Sequence, residues 1–76
     1  MKIEMFTDIT PCIRLSLSEQ LAGNGWKVSV ITRTSQYWEW DKYLKVEEGE
    51  YEHCLDVYRR MGGKVKPENE KLLKGN

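Results

Sequence analysis

Two stretches of strict alternation flank an Asn-Gly pair, and this arrangement constrains the fold more than any other part of the chain. Ile13, Leu15 and Leu17 alternate with Arg14, Ser16 and Ser18, and Trp26, Val28 and Val30 alternate with Lys27 and Ser29. A period of two places successive side chains on opposite faces, the pattern of half-buried strands. Asn24-Gly25 lies between them, a dipeptide that tolerates the positive φ of a tight hairpin turn. With these two residues as the loop, Gly23 faces Trp26, Leu21 faces Val28 and Glu19 faces Val30. Ile13, Leu15, Leu17 and Leu21 then share a face with Val28 and Val30, whereas a one-residue slip would separate the two apolar sets.

A helix over residues 11–22 competes with this hairpin. Thr10 would be its N-cap, Pro11 its first residue and Gly23 its stop. Ile13, Leu17 and Leu21 would share one helical face, but Leu15 would point away from them. That alternative creates a βαβ unit and an α/β fold in place of α+β.

Upstream, Ile3, Met5, Thr7 and Ile9 alternate with Lys2, Glu4 and Asp8, predicting a first strand that ends at Thr10-Pro11. Downstream, residues 37–46 also alternate. Trp38, Trp40, Leu44 and Val46 fall on one side, and Tyr37, Glu39, Asp41 and Tyr43 on the other. This predicts a strand with one apolar and one acidic-aromatic face. The strongest helical period spans Glu48–Met61, where Tyr51, Cys54, Leu55, Tyr58 and Met61 line one face. Carboxylates open that helix, Arg59-Arg60 closes it, and Gly62-Gly63 ends it. The expected object is a small α+β domain over residues 1–66, about four mostly antiparallel strands with one amphipathic helix packed on one face. Residues 67–76 form a tail, read as a short helical turn or disordered. Its size agrees: 76 residues hold one hydrophobic core, not two.

Composition excludes several function classes. Twelve basic and twelve acidic side chains cancel, which rejects a histone-like polycation and an acidic tail. No apolar run approaches the roughly 18–20 residues of a membrane span. The opening residues lack a signal-peptide core, and Cys12 and Cys54, read by default as reduced thiols with a bridge between them left open, suit the cytoplasm. One histidine, His53, and two cysteines, Cys12 and Cys54, lack the paired spacing of a metal site. No metal or other cofactor is expected.

Residues 2–7 followed by Thr10-Pro11-Cys12-Ile13-Arg14 resemble the front half of a glutaredoxin across residues 1–30. Thr10 stands where that family carries its attacking cysteine. No apolar strand follows Pro67, where the family's cis-proline would require one. Disulfide exchange through Cys-x-x-Cys is therefore excluded, which leaves a thioredoxin-like protein acting through Cys12 alone as a third functional alternative. A Cys12–His53–Glu50 catalytic set has no support in spacing, and the chain is read as non-enzymatic.

Two binding readings remain. Tyr37, Glu39, Asp41 and Tyr43, with Glu47, Glu48, Glu50 and Glu52, form an acidic, tyrosine-bearing surface suited to a protein partner. Such a face can compete for a nucleic-acid-binding groove, as small inhibitors of phage or mobile-element type do. The alternative is a single-stranded nucleic-acid-binding module. It would stack bases on Trp38 and Trp40 and hold phosphate with Arg59, Arg60, Lys64 and Lys66. Set against it, Trp38 and Trp40 are expected to pack on the Tyr51/Leu55/Tyr58 helix face, because a small core needs large aromatics. A first-strand edge near residues 2–7 could also pair with a second copy.

Overall fold

Leu15 and Leu17 are both almost fully buried on one face of a strand, and that decides between hairpin and crossover. The computed structural model describes residues 4–20 and 25–65. Four strands follow in order: β1 (Glu4–Thr10), β2 (Ile13–Glu19), β3 (Trp26–Thr32) and β4 (Lys42–Gly49). They form one antiparallel sheet in which each strand pairs with the next in sequence. One helix among the described residues, α1 (Tyr51–Arg60), lies across β2, β3 and β4. The fold is α+β. The helix considered over residues 11–22 is replaced by β2 from Ile13 to Glu19, since a strand buries Leu15 together with Leu17 and a helix cannot.

The β2–β3 register differs from the tight-turn expectation. Glu19 pairs with Trp26, Leu17 with Val28 and Leu15 with Val30. The connection therefore spans residues 20–25 rather than Asn24-Gly25 alone, and the Gln20 N–H donates to the Gly25 carbonyl at 3.1 Å. The displacement is even, so every apolar residue keeps its face. Gly25 has φ +103° and lies against the chain at Gly49; a Cβ there would stand 2.7 Å from the Gly49 carbonyl oxygen. Leu21, with the rest of residues 21–24, lies outside the described residues.

The core is one cluster between sheet and helix: Met5, Leu15, Leu17, Trp26, Val28, Cys54, Leu55 and Tyr58. β2 and β3 contribute alternate residues and β1 contributes Met5. Of the stripe read from its period, α1 contributes Cys54, Leu55 and Tyr58, with Tyr51 packed against the cluster and Met61 exposed. Trp26, not Trp38 or Trp40, supplies the core tryptophan, its ring centroid 5.1 Å from that of Tyr51. The strand expected over residues 37–46 begins only at Lys42, and residues 33–41 form a loop. Helix α1 starts at Tyr51, because Glu47 and Glu48 remain in β4 opposite Val28 and Lys27.

Beyond α1 the chain returns to β1. Thr7 Oγ1 is hydrogen-bonded to the Tyr58 hydroxyl and accepts from the Lys64 N–H at 2.9 Å. The tail over residues 67–76, Lys66 and the first three residues lie outside the described residues. No helix among the described residues is long and apolar enough to cross a membrane.

Candidate functional site

The antiparallel meander brings the β1–β2 turn and the β3–β4 loop to the same end of the sheet, and the loop is built onto that turn. The Arg33 N–H donates to the Cys12 carbonyl at 3.1 Å, and Arg33 Nε donates to the Pro11 carbonyl at 2.7 Å. The same guanidinium reaches back along its own loop to the Trp38 carbonyl at 3.0 Å. Within the loop, Trp38 N–H donates to the Ser35 carbonyl at 3.0 Å and Tyr37 N–H to Ser35 Oγ at 3.2 Å. The Asp41 N–H closes it on the Thr32 carbonyl at 3.1 Å.

Trp40 anchors the loop from its side chain. Two guanidinium groups stand close to its ring, Arg33 at 4.1 Å and Arg14 at 4.4 Å from the centroid. Arg14 is itself held by Asp8 in a forked pair, Nε to Oδ1 at 2.6 Å and Nη2 to Oδ2 at 3.2 Å. That hydrogen bond, reinforced by the charges of Arg14 and Arg33, keeps the Asp8 carboxyl below the usual carboxylate range. Arg14 also lies 5.2 Å from the Phe6 ring centre. Cation–aromatic contacts at such half-exposed positions contribute about 0.5–1 kcal/mol each. Together with the main-chain bonds they hold the loop in one shape.

Two aromatic side chains remain on the outside of this fixed loop. Tyr37 is 87% and Trp38 65% exposed. With Thr34, Glu39 and Asp41 they line an open cleft of about 460 Å³. Four of the residues singled out in the sequence, Tyr37, Trp38, Glu39 and Asp41, thus meet, and Trp38 stands outside the core that its alternation predicts for it.

The remaining acidic candidates lie elsewhere. Tyr43 is on the sheet face away from α1, its hydroxyl accepting from Ser29 Oγ at 2.7 Å, with Lys27 Nζ 5.2 Å from its ring. Glu47 faces α1, where its carboxylate meets His53 Nε2 at 3.1 Å and the Glu48 N–H at 3.1 Å. These two donors, the backbone one foremost, hold the Glu47 carboxyl below its ordinary value. Glu48 points to the opposite face and pairs with Lys45 at 2.8 Å, which lowers its pKa in the same way. Glu50 and Glu52 are exposed at the start of α1. The acidic surface is therefore two clusters at opposite ends of β4, about 20 Å apart at roughly 3.3 Å per strand residue.

Arg59, Arg60 and Lys64 do not line the cleft that holds the exposed indole. Arg59 and Arg60 occupy the last turn of α1, with Arg60 paired to Asp56 at 3.1 Å. Lys64 lies beside β1, bonded through its backbone to Thr7. Trp40 is instead flanked by Arg14 and Arg33, which sequence reasoning missed. The alternation did place Arg14 on the outward face, but nothing in the pattern joins it to a tryptophan in a distant loop.

Cys12, His53 and Glu50 are not brought together. Cys12 lies in the β1–β2 turn rather than at a helix N-terminus, so the glutaredoxin-like geometry is not formed. His53 and Glu50 lie at the other end of the sheet, the length of β2 away, about 20 Å. Cys54 is fully buried and burial pushes its thiol pKa up, which suppresses the reactive thiolate. Both cysteines are free. Among the described residues no three His, Cys, Asp or Glu side chains come together as metal ligands. Comparison with known proteins finds no matching family model, no matching curated protein and no matching solved structure.

Proposed function

We propose that this chain is a small non-enzymatic binding protein that engages a basic protein partner through the 34–41 loop. The observation that carries the reading is the pair Tyr37 and Trp38, largely exposed on a loop tied down by Arg33 and Trp40. Tryptophan and tyrosine contribute disproportionately to binding hot spots. A loop already ordered loses little conformational entropy when a partner arrives. Glu39 and Asp41 rim the same cleft, so the partner's contacting segment is basic. A partner that normally grips nucleic acid would meet that description, and occupying its groove would make this chain an inhibitor. The free thiols suit action in the cytoplasm.

The same geometry disfavours nucleic acid. Arg14 and Arg33 are committed to Asp8, to backbone carbonyls and to Trp40. The exposed indole has carboxylates beside it, which repel phosphate.

Affinity capture with the intact chain tests the proposal. Trp38→Ala, and separately Glu39→Lys with Asp41→Lys, should lose a partner that wild type retains, with unchanged thermal midpoints. An oligonucleotide that quenches tryptophan fluorescence at low salt, with partner capture unaffected by either variant, would overturn it in favour of the single-strand-binding alternative.

A further inference from the structure

Arg14 is held by neighbours of two kinds. Its guanidinium lies 4.4 Å from the centre of the Trp40 ring and 5.2 Å from that of Phe6. Its Nε and Nη2 fork onto the two carboxylate oxygens of Asp8 at 2.6 and 3.2 Å. A planar guanidinium suits both kinds at once, because its faces stack on rings and its edge donates in a fork to a carboxylate.

The other side of the 34–41 loop offers the same surroundings with no cation in them. Tyr37 and Trp38 supply exposed rings, Glu39 and Asp41 supply carboxylates, and with Thr34 they line the open cleft. Neither carboxylate makes an ion pair with a described residue, whereas Asp8, Glu47, Glu48 and Asp56 each make one. The cations nearest in sequence are turned elsewhere. Arg33 donates to the Pro11 and Trp38 carbonyls, and Lys42 lines a separate cavity beside Val30 and Leu44. A ligand in the cleft therefore touches two rings and two carboxylates, and no lining residue is positively charged.

We infer that the cleft receives an arginine side chain of the partner. Its guanidinium stacks on the Trp38 indole, the better of the two rings for a cation, and its N–H groups donate to Glu39 and Asp41. This deepens the partner-binding reading above and rests on it. Lysine fits less well, because its ammonium is a compact, strongly hydrated charge with no face to stack, and an open cleft leaves that hydration in place. An anionic group would be repelled by both carboxylates. A second copy of the chain is a poor source of the arginine. Its Arg14, Arg33 and Arg60 are engaged by Asp8, by backbone carbonyls and by Asp56, and Arg59 also has a partner.

The test titrates the intact chain with capped glycine pentapeptides whose central residue is arginine, lysine or citrulline, following the indole N–H resonances of the three tryptophans. Citrulline keeps the planar group and loses the charge. The arginine peptide should shift the Trp38 signal and leave those of Trp26 and Trp40 in place. The lysine peptide should bind at least about threefold more weakly, and the citrulline peptide at least about tenfold more weakly, as for loss of a charged hydrogen-bond donor. Glu39→Gln with Asp41→Asn, which keeps shape and removes charge, should abolish the preference for arginine over citrulline. Equal binding of arginine and citrulline, or of arginine and lysine, would overturn the arginine site while leaving the loop reading intact. No shift with any peptide, or a shift at Trp40 in place of Trp38, would overturn it too. So would a Trp38 signal that moves with the concentration of the chain alone, which would assign the cleft to a second copy. A Trp38 shift specific to arginine, in a chain whose captured partner ignores Trp38→Ala, would keep the arginine site and remove that partner as its ligand.

Discussion

Three tryptophans of identical chemistry occupy three different environments, and only one of these was legible beforehand. Trp26 is core by its alternation with Lys27. Trp40 is held between arginines, and Trp38 is exposed. The difference arises from tertiary neighbours that no local pattern encodes. It gives a clean contrast in substitutions. Trp40→Ala should cost about 1–2 kcal/mol in urea denaturation by removing two cation–aromatic contacts, and should weaken partner binding by loosening the loop. Trp38→Ala should leave stability within about 0.5 kcal/mol, as for an exposed side chain, yet weaken binding at least as strongly. Gly62-Gly63 was readable as a helix stop, but the demand at Gly63 is spatial. A Cβ there would collide with the Tyr58 ring. Gly63→Ala should therefore lower stability by about 1–3 kcal/mol, the usual cost of overpacking.

Elements followed their periods where one face is buried. β1, β2, β3 and α1 were legible because each alternates or repeats against a single core. The start of β4 was not, since Tyr37 to Asp41 continue the alternation without entering the sheet. Their aromatic rings satisfy a strand pattern equally well as loop residues. Hairpin parity was also legible but its register was not. A displacement by an even number leaves every face unchanged, so pattern alone is blind to it. Between elements, Tyr58 is a buried polar tie, joining α1 to β1 through Thr7. Burial raises its pKa above the ordinary 10.0, an effect the Thr7 hydrogen bond only partly offsets. A raised acid pKa means stability that is complete below about pH 10 and is lost as the pH rises through the folded value. Tyr58→Phe should cost about 1 kcal/mol at neutral pH. It should also flatten the alkaline decline, measured by denaturant midpoints on either side of pH 10.

At the scale of the whole molecule, zero net charge conceals segregation. Residues 39–56 carry an excess of five negative charges and residues 57–66 an excess of four positive ones. The fold places the carboxylates of the first block in the loop (Glu39, Asp41), in β4 (Glu47, Glu48) and on α1 and its N-cap (Glu50, Glu52, Asp56), and Arg59 and Arg60 of the second at the end of α1. Such local fields act within a Debye length, about 8–10 Å near physiological salt. Association with a basic partner should accordingly slow as salt rises, mainly through the association rate. The most direct test of the account is a hydrogen-exchange footprint of the intact chain with and without the partner it captures. The loop amides of residues 34–41 should become protected while those of Arg59 and Arg60 stay unchanged. Protection centred on Arg59, Arg60 and Lys64, with the loop exchanging as in the free chain, would contradict it.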